Sequence, residues 1–268
     1  MPIVKVNDIE MYYEIRGQGE PLLFILGMGM ELSYFSENPD AEVDQKYKVI
    51  LFDNRGAGRT DKTDKPYSIE MMAEDTVGLM DALGIKHAHI IGSSMGSRIA
   101  QVIAVKHPER VKSLVLHVAG AHFPFSMYLM TGVMLRIPDS RKKMLDDMGF
   151  LFQQKYPPTP ESLIRQLNAV RNFDGRRSLK QIKAPTLIVN GTKDQLNPRK
   201  LTEELARGIP GAKLILVDGD HMFSVEKPDL LVKPMLKFLA EVDSKASTTV
   251  APVGSESITM AQPANKGG

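Results

Sequence analysis

The sequence predicts an α/β fold in which a mostly parallel sheet is covered by helices on both faces. Three observations predict it. Short apolar runs of strand length alternate with amphipathic helical patterns along most of the chain. One of those runs, residues 22–26, contains no polar residue, as expected of a strand buried on both sides. The pentapeptide Gly92-Ser93-Ser94-Met95-Gly96 lies between an apolar run ending at Ile91 and a helical pattern beginning at Ser97, which is the setting of a sharp strand-to-helix turn.

Taken in order, residues 3–6 and 11–15 read as two strands joined by a turn at Asn7-Asp8, an antiparallel start that leads into the sheet. Residues 22–26 and 49–52 are strands, 68–83 a helix, 89–91 a strand and 97–105 a helix ending near His107-Pro108. Strands at 114–118, 187–189 and 214–217 follow, and an amphipathic helix at 228–239 closes the pattern. Residues 121–184 break the alternation, with helical patterns at 141–149 and 161–170 separated by prolines, and read as an inserted helical cap. The expected organisation is a core from 1–120 and 185–243, a cap at 121–184 and a disordered tail at 244–268, rich in small and polar residues.

With 268 residues and 43% hydrophobic content the chain can bury one large core. Thirty-four basic residues against 32 acidic ones leave a formal net charge of +2, so no sustained field points to nucleic acid or an anionic membrane, and small-molecule partners are expected. The absence of cysteine excludes disulfides, thiol nucleophiles and cysteine zinc sites. Residues 1–20 show no signal-peptide pattern, and the apolar run at 21–30 is too short and glycine-rich to span a bilayer, so a cytoplasmic location is expected.

Ser94, at the centre of G-x-S-x-G, is the candidate nucleophile, because the flanking glycines let the backbone bend sharply and lift the hydroxyl clear. A serine hydroxyl needs a general base, and the base needs a group that holds its tautomer. Asp194 and His221 follow later strands in the required order, each through a turn containing glycine. His87, His89, His107 and His117 lie in or beside regular elements and read as structural. His122, at the start of the cap, is a candidate substrate contact. Donors for a tetrahedral oxyanion are expected from the backbone N–H groups of Met95, after the nucleophile, and Met28, in the loop Leu26-Gly27-Met28-Gly29-Met30. Gly56-Ala57-Gly58 lacks a third glycine for a dinucleotide fingerprint, and neither a phosphate-binding loop nor an H-E-x-x-H motif occurs, so no cofactor and no metal are expected.

These motifs, together with Asp53-Asn54-Arg55-Gly56-Ala57-Gly58-Arg59-Thr60-Asp61, His107-Pro108-Glu109-Arg110, Gly191-Thr192-Lys193-Asp194 and Gly219-Asp220-His221, resemble the alpha/beta-hydrolase superfamily, and within it the small esterase, enol-lactonase and cofactor-free haloperoxidase branch. The resemblance implies an eight-stranded, mostly parallel sheet with a lid after the sixth strand. Two positions depart from it: Leu26 stands where many relatives carry histidine, and Ser97 where a further glycine often follows the elbow.

The stretch after the sixth strand holds Phe123, Phe125, Met127, Tyr128 and Met130, a soft apolar set that either forms an acyl or alicyclic pocket or packs the cap onto the core. Arg136, Arg141, Lys142 and Lys143 either attract a substrate carboxylate or form a solvated face. The expected activity is hydrolysis of a carboxylic ester or lactone through an acyl-enzyme on Ser94. Peroxide-dependent acyl transfer or carbon-carbon bond hydrolysis by the same triad, and a non-catalytic ligand-binding protein on the same scaffold, are the alternatives.

Overall fold

The computed structural model describes residues 2–37 and 40–249. Among these residues eight strands form one sheet: β1 (Ile3–Val6), β2 (Ile9–Arg16), β3 (Glu20–Ile25), β4 (Tyr47–Phe52), β5 (Ala88–Ser93), β6 (Val111–His117), β7 (Thr186–Gly191) and β8 (Lys213–Val217). Their spatial order is β1-β2-β4-β3-β5-β6-β7-β8. The pairings of β1 with β2 and β2 with β4 are antiparallel, and all later ones are parallel.

Parallel neighbours need crossovers, and helices supply them. They are α1 (Ser33–Glu37) and α2 (Ala41–Lys46) before β4, α3 (Ile69–Ala82) before β5, α4 (Met95–Lys106) before β6, and α8 (Arg199–Gly208) between β7 and β8. Three helices, α5 (Phe125–Met134), α6 (Pro138–Asp147) and α7 (Pro160–Asn172), lie between β6 and β7, in the stretch expected to form the cap. The short α9 (Phe223–Glu226) and the long α10 (Asp229–Thr249) follow β8. Local signals set the ends: the Ser68 hydroxyl accepts the Met71 N–H at 3.1 Å before α3, and Thr159 and Ser162 form a reciprocal cap on α7 with Pro160 in its first turn.

Successive strand residues serve opposite faces. Leu23, Ile50, Ile90, Leu114 and Ile188 join the core under α3 and α4, whereas their neighbours Leu22, Val49, Ile91, Val115 and Leu187 join a second core closed by α10. This double burial is why the parallel strands read as unbroken apolar runs.

The stretch that becomes α5 is apolar on most sides and shows no stripe, while α8, with five charged residues among its ten, is amphipathic and buries only Thr202 and Leu205. The expected tail needs correction at its start: residues 244–249 continue α10, and the remainder, 250–268, lies outside the described residues. Among the described residues no helix is long and apolar enough to cross a membrane.

Candidate active site

The carboxyl ends of β5, β7 and β8 deliver three side chains to one point. Ser94 follows β5 with φ of 52° and ψ of −111°, a conformation that non-glycine residues rarely adopt. Glycine is required on both sides of this turn: a Cβ on Gly92 would strike the Gly96 carbonyl, and one on Gly96 would strike the carbonyl of Ile25 on the neighbouring strand. The Ser94 N–H donates to the His117 carbonyl at 3.0 Å, and the Ser97 hydroxyl donates back to the Ser94 carbonyl at 2.6 Å. Serine at 97 therefore braces the elbow from within.

His221 Nε2 lies 2.9 Å from Ser94 Oγ, and His221 Nδ1 lies 2.8 Å from Asp194 Oδ2. A carboxylate can only accept, so Nδ1–H donates to Asp194 and Nε2 is free to accept the serine proton. The other oxygen, Asp194 Oδ1, accepts the N–H groups of Leu196 at 2.8 Å and Asn197 at 2.9 Å, which fixes the carboxylate in a tight turn. The two loops pack because position 191 is glycine, where a Cβ would collide with the Gly219 carbonyl.

The amides of Met28 and Met95 make no hydrogen bond to the described residues, while that of Gly29 donates to Gln166 Oε1 at 2.7 Å. A Cβ on Gly27 would stand in contact with the Ser94 Cβ, and Gly27, Met28 and Ser94 line one cavity. Leu26, where a histidine is common in the resembled family, leaves the loop held otherwise: Asn54 Nδ2 donates to the Leu26 carbonyl at 3.0 Å, and Gln154 Nε2 to the Gly29 carbonyl at 2.8 Å.

Ser94, His221, Met28 and Met95 line a cavity of about 330 Å³. Seven of its lining residues are methionines, and the charged side chain lining it is that of Arg98. Of the expected substrate contacts, Phe123 and Met127 line it and Phe125, Tyr128, Met130 and His122 do not. The reason is helical geometry: Met127 and Thr131, four residues apart on α5, face the cavity, whereas Phe125 and Met130 point outward at 72% and 54% exposure. Tyr128 stacks under the Arg171 guanidinium. The His122 ring turns to the Phe123 carbonyl and Glu204. Lys142 and Lys143 pair with Asp146 and Asp147 on the exposed face of α6, and neither they nor Arg136 and Arg141 reach the cavity.

Sequence reasoning missed several groups. His117 and Ser93, register partners on β6 and β5, both line the cavity, with Ser93 Oγ 2.9 Å from His117 Nδ1. Burial pushes the His117 ring down to about 3, so it stays neutral, and its Nε2 has no partner. Arg98 and Asn197 also line the cavity. A basic residue on the apolar side of the helix after the elbow was the available signal for Arg98.

Comparison with known proteins agrees with the fold. The family model for the alpha/beta hydrolase fold matches residues 20–158. A protein of Azorhizobium caulinodans that bears the name carbamate hydrolase RutD is 31% identical over 91% of this chain and 100% of its own length. One of Mycobacterium tuberculosis, named as the non-heme bromoperoxidase BpoC, is 27% identical over 87% of this chain and 99% of its own. The crystal structure of the enol-lactonase from Burkholderia xenovorans LB400 superposes with a TM-score of 0.77 at 25% identity, covering 89% of this chain and 100% of that one. With its sheet order, its glycine-bounded elbow and a relative matched from end to end, this chain belongs to the alpha/beta hydrolase family.

Proposed function

We propose that this protein is a serine hydrolase that cleaves a carboxylic ester or lactone of a small, largely apolar substrate. One observation carries the reading: the relay from Ser94 Oγ through His221 to Asp194, at 2.9 Å and 2.8 Å, opens into an apolar cavity flanked by two unbonded amides. Ser94 attacks the substrate carbonyl while His221 takes its proton, and the Met28 and Met95 N–H groups receive the developing oxyanion. His221 then protonates the leaving alkoxide, and water activated by the same ring hydrolyses the acyl-enzyme. Asp194 keeps the imidazole in the working tautomer. The methionine-rich wall suits an adaptable fit to an acyl chain and offers no cap cation to a substrate carboxylate.

A carbamate presents the same kind of carbonyl to the same serine, and the 31% identical relative makes it the second reading. Peroxide in place of water would give the peracid chemistry that the bromoperoxidase name suggests.

The test is labelling by a fluorophosphonate probe with mass mapping, followed by turnover of p-nitrophenyl butanoate and octanoate, an acyl lactone, an aryl carbamate, and an ester with added peroxide. A single adduct on Ser94, lost in Ser94→Ala together with ester turnover, is the expected result, and Asp194→Asn should lower kcat by about 10⁴. Tight ligand binding that survives Ser94→Ala, with neither label nor turnover in the wild type, would make this a binding protein instead.

A further inference from the structure

Arg98 occupies the second turn of α4, four residues after Ser94, and is 2% exposed. Its guanidinium reaches three separate parts of the site. Nη1 donates to the Ser94 carbonyl at 3.5 Å, and Nη2 donates to the His122 carbonyl at 3.4 Å and to Asn197 Oδ1 at 3.2 Å. Nε has no partner, and none of the described carboxylates lies within ion-pair distance of this cation. The elbow, the junction between β6 and α5, and the turn that carries the acid are thus joined through one side chain.

Asn197 continues the connection. Its backbone N–H donates to Asp194 Oδ1 at 2.9 Å, and its Nδ2 donates to the Val118 carbonyl at 2.7 Å. Val118 has φ of 43°, a strained value for a β-branched residue, and it persists because this bond and packing hold it. Burial pushes the Arg98 guanidinium down to about 10, and the Asp194 carboxylate is the charge that opposes this. The Asp194 side chain is itself fully buried. Two desolvated opposite charges one asparagine apart stabilise each other, whereas either alone would be costly to bury.

We infer that Arg98 is a positioning residue: through Asn197 it serves as the counter-charge of the Asp194 carboxylate, and through the Ser94 carbonyl it fixes the elbow against the acid turn. This rests on the serine-hydrolase reading. Removing the cation makes proton uptake by the His221–Asp194 pair easier, because a nearby positive charge no longer opposes it. The other ionisable groups around the pair stay constant in the test: neutral His117 on β6, the exposed Lys193–Asp218 pair and Asp220 on the two loops, and the His122–Glu204 contact behind Arg98. The cap residues that line the cavity carry no charge.

The experiment measures kcat/KM for p-nitrophenyl butanoate and the rate of fluorophosphonate labelling against pH, for the wild type, Arg98→Met and Arg98→Lys. Arg98→Met should move the acid limb of both profiles upward by about one pH unit and lower the plateau on the order of tenfold. Arg98→Lys keeps the charge, so its limb should coincide with that of the wild type while its plateau falls. Should Arg98→Met fail to fold, Asn197→Ala cuts the bridge with Arg98 in place and should lower the plateau of kcat by a similar factor. An unmoved limb in Arg98→Met, an equal shift in Arg98→Lys, or an undiminished plateau in Asn197→Ala overturns the inference. So does a loss confined to KM for esters bearing a carboxylate, which would make Arg98 a substrate contact. A wild type that takes no label and turns over no ester defeats the hydrolase reading itself, which is a different failure.

Discussion

At the residue scale the site is written in backbone geometry. Ser94 at φ of 52° holds strain of roughly 1–3 kcal/mol, and Gly92 and Gly96 are the positions where any side chain would block the turn that stores it. That is why the elbow was legible: glycine is irreplaceable there, and the pattern survives in one dimension. His117 was not legible, because a histidine within a strand gives no sign of what surrounds it. Its ring packs edge-on to Phe223 and is 3% exposed, and burial, aided by the neighbouring His221 ring, keeps it neutral with a value near 3. The value lies below that of an unfolded histidine, so the unfolded chain binds the extra proton first. Stability is therefore full above about pH 6.5 and is lost as pH falls through the range down to about 3. In urea titrations at pH 7 and pH 5 the wild type should lose about 2 kcal/mol more than His117→Asn over that interval. Equal losses in both proteins would show that His117 is protonated within the folded state.

At the scale of elements, the segment between β6 and β7 does more than roof the cavity. Gln166 on α7 is completely buried and accepts the Gly29 N–H at 2.7 Å while donating to the Arg55 carbonyl at 2.7 Å. Gln154, just before α7, donates to the Gly29 carbonyl and accepts the Glu31 N–H. The loop proposed to bind the oxyanion is thus set by side chains more than a hundred residues away, a pairing that no local pattern reveals. By contrast, the glycines of the loop are local and are read from the sequence. Replacing Gln166 by Met leaves two buried backbone groups unpaired, at about 1–3 kcal/mol each. The expected result is a lower melting temperature and a fall in kcat of roughly ten- to a hundredfold with little change in KM, since the Met28 amide is proposed to act on the transition state. A change in KM alone would place Gln166 among the substrate contacts.

Across the whole molecule, the same three residue types meet twice. At the carboxyl ends of the parallel strands, Ser94 and His221 open into the cavity with Asp194 bonded behind the imidazole. Near the opposite ends, His89 Nδ1 lies 2.7 Å from Ser113 Oγ and its Nε2 lies 3.1 Å from Asp243 Oδ1, with Lys112 and the Tyr47 hydroxyl on the same carboxylate. Ser113 and His89 are completely buried and no described cavity reaches them, so this second set ties α10 to the strands. The chain order of motifs identified the first set; the second joins residues up to 154 positions apart and needed the fold to be seen. On the proposed reading, chemistry follows from access at a strand's carboxyl end, and the presence of serine, histidine and aspartate within bonding distance does not suffice. Asp243→Asn should therefore destabilise the fold by about 1–2 kcal/mol in urea, through the weakened contacts to His89 and Lys112, while leaving kcat within about twofold. Mass mapping of the fluorophosphonate adduct should find Ser94 labelled in both proteins and Ser113 in neither; an adduct on Ser113, or a large loss of kcat with stability intact, would mean that the sealed set communicates with the open one.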